Sequence, residues 1–188
     1  MAGGQSLVSE TDKILRARED RRWATAERPF VGFIALDGNL TVGLLAQIAT
    51  SPLFSRSDLR IAPASPGKAE RLLPLLGHTG ATLYVNVEEA GLLCQTEFYD
   101  AQTAAQSLIA RGANRALVTH GPKSAALADE QNCDTAAPPA VMASRVTGAG
   151  DTFMAAHIAA ERRGQRGVAA LQFASNAAAA YVSGKSEG

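Results

Sequence analysis

The sequence predicts an α/β fold, with a mainly parallel sheet covered by helices on both faces. Three observations carry that expectation. Short apolar runs alternate along the chain with longer stretches of helix-forming residues. Some of those runs, such as residues 30–36 (FVGFIAL), contain no polar side chain, as befits strands buried on both faces. Glycine and proline stand at the junctions between the two kinds of segment. At 188 residues the chain can bury one sizeable core, and no internal repeat or linker divides it, so residues 1–188 read as a single domain.

Taken in order, residues 1–9 are polar and glycine-containing, and residues 10–27 combine charge with helix formers, which predicts a largely exposed helix closed by Pro29. The apolar run 30–36 is the first strand. Asp37-Gly38-Asn39 is a turn, and residues 40–48 return as a helix. Residues 59–62 form a short strand, 63–67 a turn, and 68–76 a helix. The strand 81–85 ends at Asn86. Helical patterns cover 88–93 and 101–111, with Gly112 as the cap of the second. Residues 115–119 are another apolar strand, and 124–128 pair beside it before a loop at 129–139. Residues 141–146 are extended, a glycine turn follows, and alanine-rich helices run from 149 to 163 and from 167 to 183. Met142 and Met154 are assigned to the core.

Composition narrows the function. The 18 basic and 18 acidic side chains balance, and no basic stripe interleaved with aromatics offers a nucleic-acid surface. No apolar run reaches membrane-spanning length, and the N-terminus lacks a signal-peptide pattern. Cys94 and Cys133 stand far apart without metal-ligand spacing, which fits reduced thiols of a cytoplasmic protein. His78, His120 and His157 are isolated and read as surface or packing residues. A P-loop is excluded, because the first glycine is missing ahead of Gly121-Pro122-Lys123-Ser124. A dinucleotide fingerprint is excluded by Phe153, and no G-x-S-x-G elbow is present.

The chemistry concentrates where strands give way to helices, the end of a parallel sheet at which ligands collect. Val146-Thr147-Gly148-Ala149-Gly150-Asp151 leads into a long helix. Glycines there leave the first helical amides open, and those amides with the helix dipole suit a phosphate. Asp151 suits the dipole too, but it would repel a phosphate. Its second use would be to accept the proton of an attacking hydroxyl; the plainer one is to complement the dipole. Asn86 and Glu89, three apart, suit either hydrated magnesium or a capping box. Thr119 and Gly121 leave their strand with a hydroxyl and a tight turn, useful to a phosphate or simply a strand exit.

Together these stretches resemble the ribokinase-like (PfkB) carbohydrate kinase family. Asn86-Val87-Glu88-Glu89, Val118-Thr119-His120-Gly121, Val146 to Asp151, and Asn176 within Ala174 to Ala179 stand in the family's order. The resemblance runs from about residue 30 to 184. Residues 36–40 (LDGNL) and 62–69 (APASPGKA) are most similar to the pseudouridine kinases. It implies a three-layer α/β/α fold that lacks the family's N-terminal strands and lid. It further implies transfer of the ATP γ-phosphate to a sugar or nucleoside hydroxyl, here the 5′-hydroxyl of pseudouridine. Asp151 would be the base, with Gly148, Ala149 and Gly150 as the anion hole. Thr119 and Gly121 would touch the nucleotide phosphates, Asn176 would border the adenine, and Asn86 and Glu89 would position Mg2+. Arg145 stands where the family often has Asp or Asn linked to a monovalent cation, so a cation requirement is in doubt. The alternative is a truncated, inactive nucleotide-binding remnant or partner subunit, with homo-oligomerisation through the incomplete sheet.

Overall fold

The computed structural model describes residues 24–184. Along the chain run β1 (Gly32–Asp37), α1 (Val42–Thr50), a 3₁₀ turn (Pro52–Phe54), β2 (Ser57–Ala62), a long 3₁₀ segment (Pro66–Leu75), β3 (Ala81–Asn86), α2 (Val87–Cys94) and α3 (Ala101–Ala110). Then follow β4 (Arg115–Thr119), β5 (Ala125–Asp129), β6 (Cys133–Ala136), α4 (Ala149–Arg162) and α5 (Gly167–Val182). The six strands form one sheet in chain order, from β1 to β6. Strands β1 to β4 are parallel, and β5 and β6 continue antiparallel.

Because each parallel strand is added on the same side of the last, right-handed crossovers put their connections on one face. The larger core cluster lies there, where Leu45, Leu72, Leu93 and Leu108 of the connections meet Leu59, Leu83 and Val118 of the strands. Truncating any one of these leucines to alanine would cost about 2–5 kcal/mol. Helices α4 and α5 cover the other face, where Phe153 and Leu171 meet Tyr84, Leu117 and Leu127. Polar caps set the starts of α1 and α3: Thr41 Oγ1 accepts from the Leu44 amide at 3.3 Å, and Asp100 Oδ1 from the Thr103 amide at 2.7 Å.

The α/β expectation holds, with instructive departures. Among the described residues, β1 is an edge strand with one face covered, and Phe33 and Ala35 are exposed; its apolar run does not mark burial on both faces. The segment expected as a helix at 68–76 is 3₁₀ instead, with Pro66 at its start and Pro74 inside it. Proline withholds the amide that an α-helical ladder needs. The loop expected at 129–139 contains β6. Asp129 bends the chain there, its carboxylate accepting from the amides of Gln131 (2.9 Å) and Asn132 (2.8 Å). Residues 141–146 form no strand, and Met142 is 91% exposed, not core. Met154 does pack against the second cluster. Residues 24–27 are irregular, and the rest of the helix expected at 10–27 lies outside the described residues.

A polar network absent from the sequence reading lies between the sheet and α4. Arg60 on β2 donates to Glu161 on α4 at 2.5 Å and to the Tyr84 hydroxyl at 3.0 Å. It also forms a two-pronged pair with Asp58, at 2.5 and 2.8 Å. Arg115 meets the second oxygen of Glu161 at 2.7 Å. His157, fully buried one turn before Glu161, lies 2.9 Å from the Tyr84 hydroxyl through Nδ1. Burial pushes the Tyr84 phenol up to about 12. It pushes His157 down to about 4, so the imidazole is neutral here. Burial works to raise Glu161, but Arg115 and Arg60 outweigh it and hold the carboxyl below its usual range.

Candidate active site

The parallel strands end together, and their last residues face one another across the ladder. Asp37 of β1 is in register with Ala62 of β2, and Asn86 of β3 with Thr119 of β4. The stretches 36–40 and 62–69, far apart in sequence, are thereby joined. The Gly38 amide donates to the Ala62 carbonyl at 2.8 Å, and Lys68 Nζ donates to Asn39 Oδ1. Gly38 has no room for a side chain, since an added Cβ would lie 2.7 Å from Pro63 Cα.

Asn86 and Glu89 form a capping box at the start of α2. Asn86 Oδ1 accepts from the Glu89 amide at 2.8 Å, and Glu89 Oε2 accepts from the Asn86 amide at 2.8 Å. Glu89 is buried, and burial raises its carboxyl above the usual range, against the pull of the Asn86 amide. One oxygen of Glu89 is thus committed. The set suits a hydrated magnesium held through water better than direct chelation. No cluster of three acidic, histidine or cysteine side chains occurs among the described residues. Asn86, Thr119 and Gly121 line one cleft of about 850 Å³, together with His120 and Tyr99. Gly121 turns the chain with a φ of +54°.

The glycine turn differs from the other helix starts in its left-handed N-cap. Gly148 is the N-cap of α4 in the left-handed region, with a φ of 90°, and no side chain caps the helix. The Thr152 amide and hydroxyl both donate to the Gly148 carbonyl at 2.9 Å. Of the three amides expected to form the anion hole, that of Ala149 donates to the Val146 carbonyl at 3.1 Å. Among the described residues, no acceptor meets the amides of Gly148, Gly150 or Asp151. Exposed donors at the positive end of a 14-residue helix are suited to an anion. Asp151 is exposed in the first turn beside them. Asn176 is exposed on α5, where its Oδ1 accepts from Gln172 at 2.9 Å. The same Gln172 amide donates to the Ala137 carbonyl at 2.9 Å, tying α5 to the loop after β6. Neither the glycine turn nor Asn176 lines the cleft that holds Asn86, Thr119 and Gly121.

Residues 39–188 match the profile of the pfkB family carbohydrate kinases. The chain belongs to that family. Among solved structures it resembles a carbohydrate kinase from Agrobacterium tumefaciens at 26% identity and a TM-score of 0.66, over 78% of this chain and 46% of that one. It resembles ribokinase from Thermotoga maritima at 21% identity and a TM-score of 0.66, over 87% and 52%. It also resembles phosphofructokinase-2 from Escherichia coli, solved in complex with potassium, at 22% identity and a TM-score of 0.69, over 86% and 53%. This pfkB-family chain therefore spans about half the length of the structures it matches. Comparison with curated proteins finds no match. Among the described residues, no helix is long and apolar enough to cross a membrane.

Two residues brace the glycine turn of this pfkB-family chain, and only Tyr181 escapes motif reading. Tyr181 reaches from the end of α5 so that its hydroxyl donates to the Thr147 carbonyl at 3.0 Å. Arg145 donates from Nε to the Tyr181 carbonyl at 2.9 Å and covers the Tyr181 ring at 4.0 Å. Arg145 stands out in the sequence by its place before the turn. Tyr181, 30 positions after Asp151 in an alanine-rich helix, carries no local signal.

Proposed function

We propose that this chain carries the phosphate-handling half of an ATP-dependent kinase site acting on a sugar or nucleoside hydroxyl, with the 5′-hydroxyl of pseudouridine as acceptor. The observation that carries the reading is the turn at Gly148, whose open amides stand beside the Asp151 carboxylate in a pfkB-family chain. Asp151 takes the proton of the acceptor hydroxyl while that oxygen bonds to the γ-phosphorus. The bond from phosphorus to the β–γ bridging oxygen breaks, and ADP leaves with the bridging oxygen. The amides of Gly148, Gly150 and Asp151 donate to the oxygens of the phosphoryl group in flight, where charge stabilisation has most to contribute. Thr119 and Gly121 steady the nucleotide phosphates, and Asn176 borders the base. Asn86 and Glu89 would hold magnesium through water, and the ion would supply positive charge to offset that of the nucleotide phosphates.

The pseudouridine assignment is supported by the contact between residues 36–40 and 62–69, the two stretches most similar to that branch. A cytoplasmic location accords with the substrate class. A second reading has its own observation: Val31, just before β1, is 67% exposed and Phe33 38%, at a sheet edge that is unpaired among the described residues. That surface suits a further polypeptide, including a second copy, that the chain needs before it turns over. ADP formation with MgATP and a panel of acceptors tests the first reading; pseudouridine is expected to give the highest kcat/KM. A melting shift with MgATP but no turnover favours the second. Neither shift nor turnover contradicts both.

A further inference from the structure

Residues 141–147 are exposed and irregular, yet the turn that follows must hold its amides still. The contacts that steady it come from α5. The Val182 carbonyl accepts from the amides of Ser144 (2.7 Å) and Arg145 (3.2 Å), and from the Ser144 hydroxyl at 3.0 Å. The Tyr181 carbonyl accepts from Arg145 Nε at 2.9 Å and from the Gly184 amide at 3.2 Å. The Tyr181 ring lies between the Arg145 guanidinium, 4.0 Å from its centroid, and Gly148. Its hydroxyl holds the Thr147 carbonyl and sits 2.6 Å from where a Cβ on Gly148 would be.

We infer that Arg145 and Tyr181 are positioning residues for the Gly148 turn, and that the guanidinium makes a monovalent cation unnecessary there. This rests on the proposed phosphate site. Phosphofructokinase-2 was solved with potassium, but the end of α5 in this chain does not suit such an ion. Its two nearest carbonyls already accept two or more hydrogen bonds each, and a permanent positive charge lies against them. A potassium ion would have to displace those donors and sit beside a like charge. Tyr181 passes the constraint on, because its ring is pinned on one side and its hydroxyl fixes the carbonyl one residue before Gly148.

The test is binding of MgATP and of adenosine, by calorimetry, in potassium chloride and in tetramethylammonium chloride at equal ionic strength. Wild type is expected to bind MgATP equally in both salts. Arg145→Ala and Tyr181→Phe are each expected to lose roughly tenfold in MgATP affinity, with adenosine unaffected and partial recovery in Arg145→Lys. Hydrogen exchange across residues 144–151 is expected to rise in Arg145→Ala while α5 stays protected. A wild type that requires potassium overturns the inference. So does an Arg145→Ala that matches wild type, or one that weakens adenosine as much as MgATP. If wild type binds no MgATP in either salt, the phosphate site itself falls, and unchanged exchange in Arg145→Ala then rejects the positioning role separately.

Discussion

Replacing Asp151 with asparagine is expected to abolish phosphoryl transfer while leaving nucleotide binding intact. The amide matches the carboxylate in size, and Asp151 is exposed in the first turn of α4 with no hydrogen bond to a packed neighbour to lose. Removing a general base costs roughly 10²–10⁴ in rate. The same change takes one negative charge away from the bound phosphates, so MgATP affinity should stay level or tighten. Loss of turnover with unweakened binding marks a base. Equal losses in both would mark a residue that merely shapes the turn. Single-turnover kinetics and calorimetry on the one variant separate the two.

Glu161→Ala is expected to cost about 3–5 kcal/mol, because it takes away the buried carboxylate that Arg115 and Arg60 share, leaving Arg60 with Asp58 alone. Arg60 is buried and pairs with Glu161 as well as Asp58, and Arg115 pairs with the other oxygen of Glu161. A joint Arg60→Met and Glu161→Leu change should recover part of that loss, since apolar packing replaces the buried pair while Arg115 still lacks its partner. Urea denaturation measures both. The network also sets the acid response. His157 has a folded value of about 4, below its ordinary 6.5, so protons favour the unfolded chain. Stability is therefore full above pH 6.5 and falls as pH drops toward 4. Glu161 is also held below its ordinary 4.5, so its contribution is present above that value and lost on further acidification. The two slopes have the same sign, and thermal melts from pH 8 downward should show a steady decline that begins near pH 6.5.

The order of strands and helices was readable because local pattern and tertiary demand agree. Residues 83–85 and 116–118 are continuous apolar runs and lie in central strands. Where the two diverge, local reading errs. Residues 30–36 are as apolar as a central strand yet sit at an edge, since a sequence run records what a strand could bury and not what covers it. Val141, Met142 and Val146 look like a strand and pair with nothing among the described residues. The glycine turn was legible because Gly148 answers to a local need, a left-handed φ at a helix start. The Asn86 and Glu89 pair was legible as a capping box for the same reason. Arg60 with Glu161, 101 positions apart, and Tyr181 with Thr147, 34 apart, were not. Nothing local announces a partner at that separation.

The central claim is that the open amides at this turn receive the phosphate of the nucleotide. Gly150 tests it with the least disturbance, because a Cβ there meets no protein atom within 4 Å. Nothing in the fold demands glycine at this helical position, and alanine should even favour the helix by up to about 1 kcal/mol. A close approach by a ligand would demand it. Calorimetric titration of MgATP into wild type and Gly150→Ala is therefore the direct measurement. The account predicts an unchanged or higher melting temperature with MgATP affinity reduced tenfold or more, on the order of 1.4 kcal/mol. An equally stable Gly150→Ala that binds MgATP as tightly as wild type would contradict it.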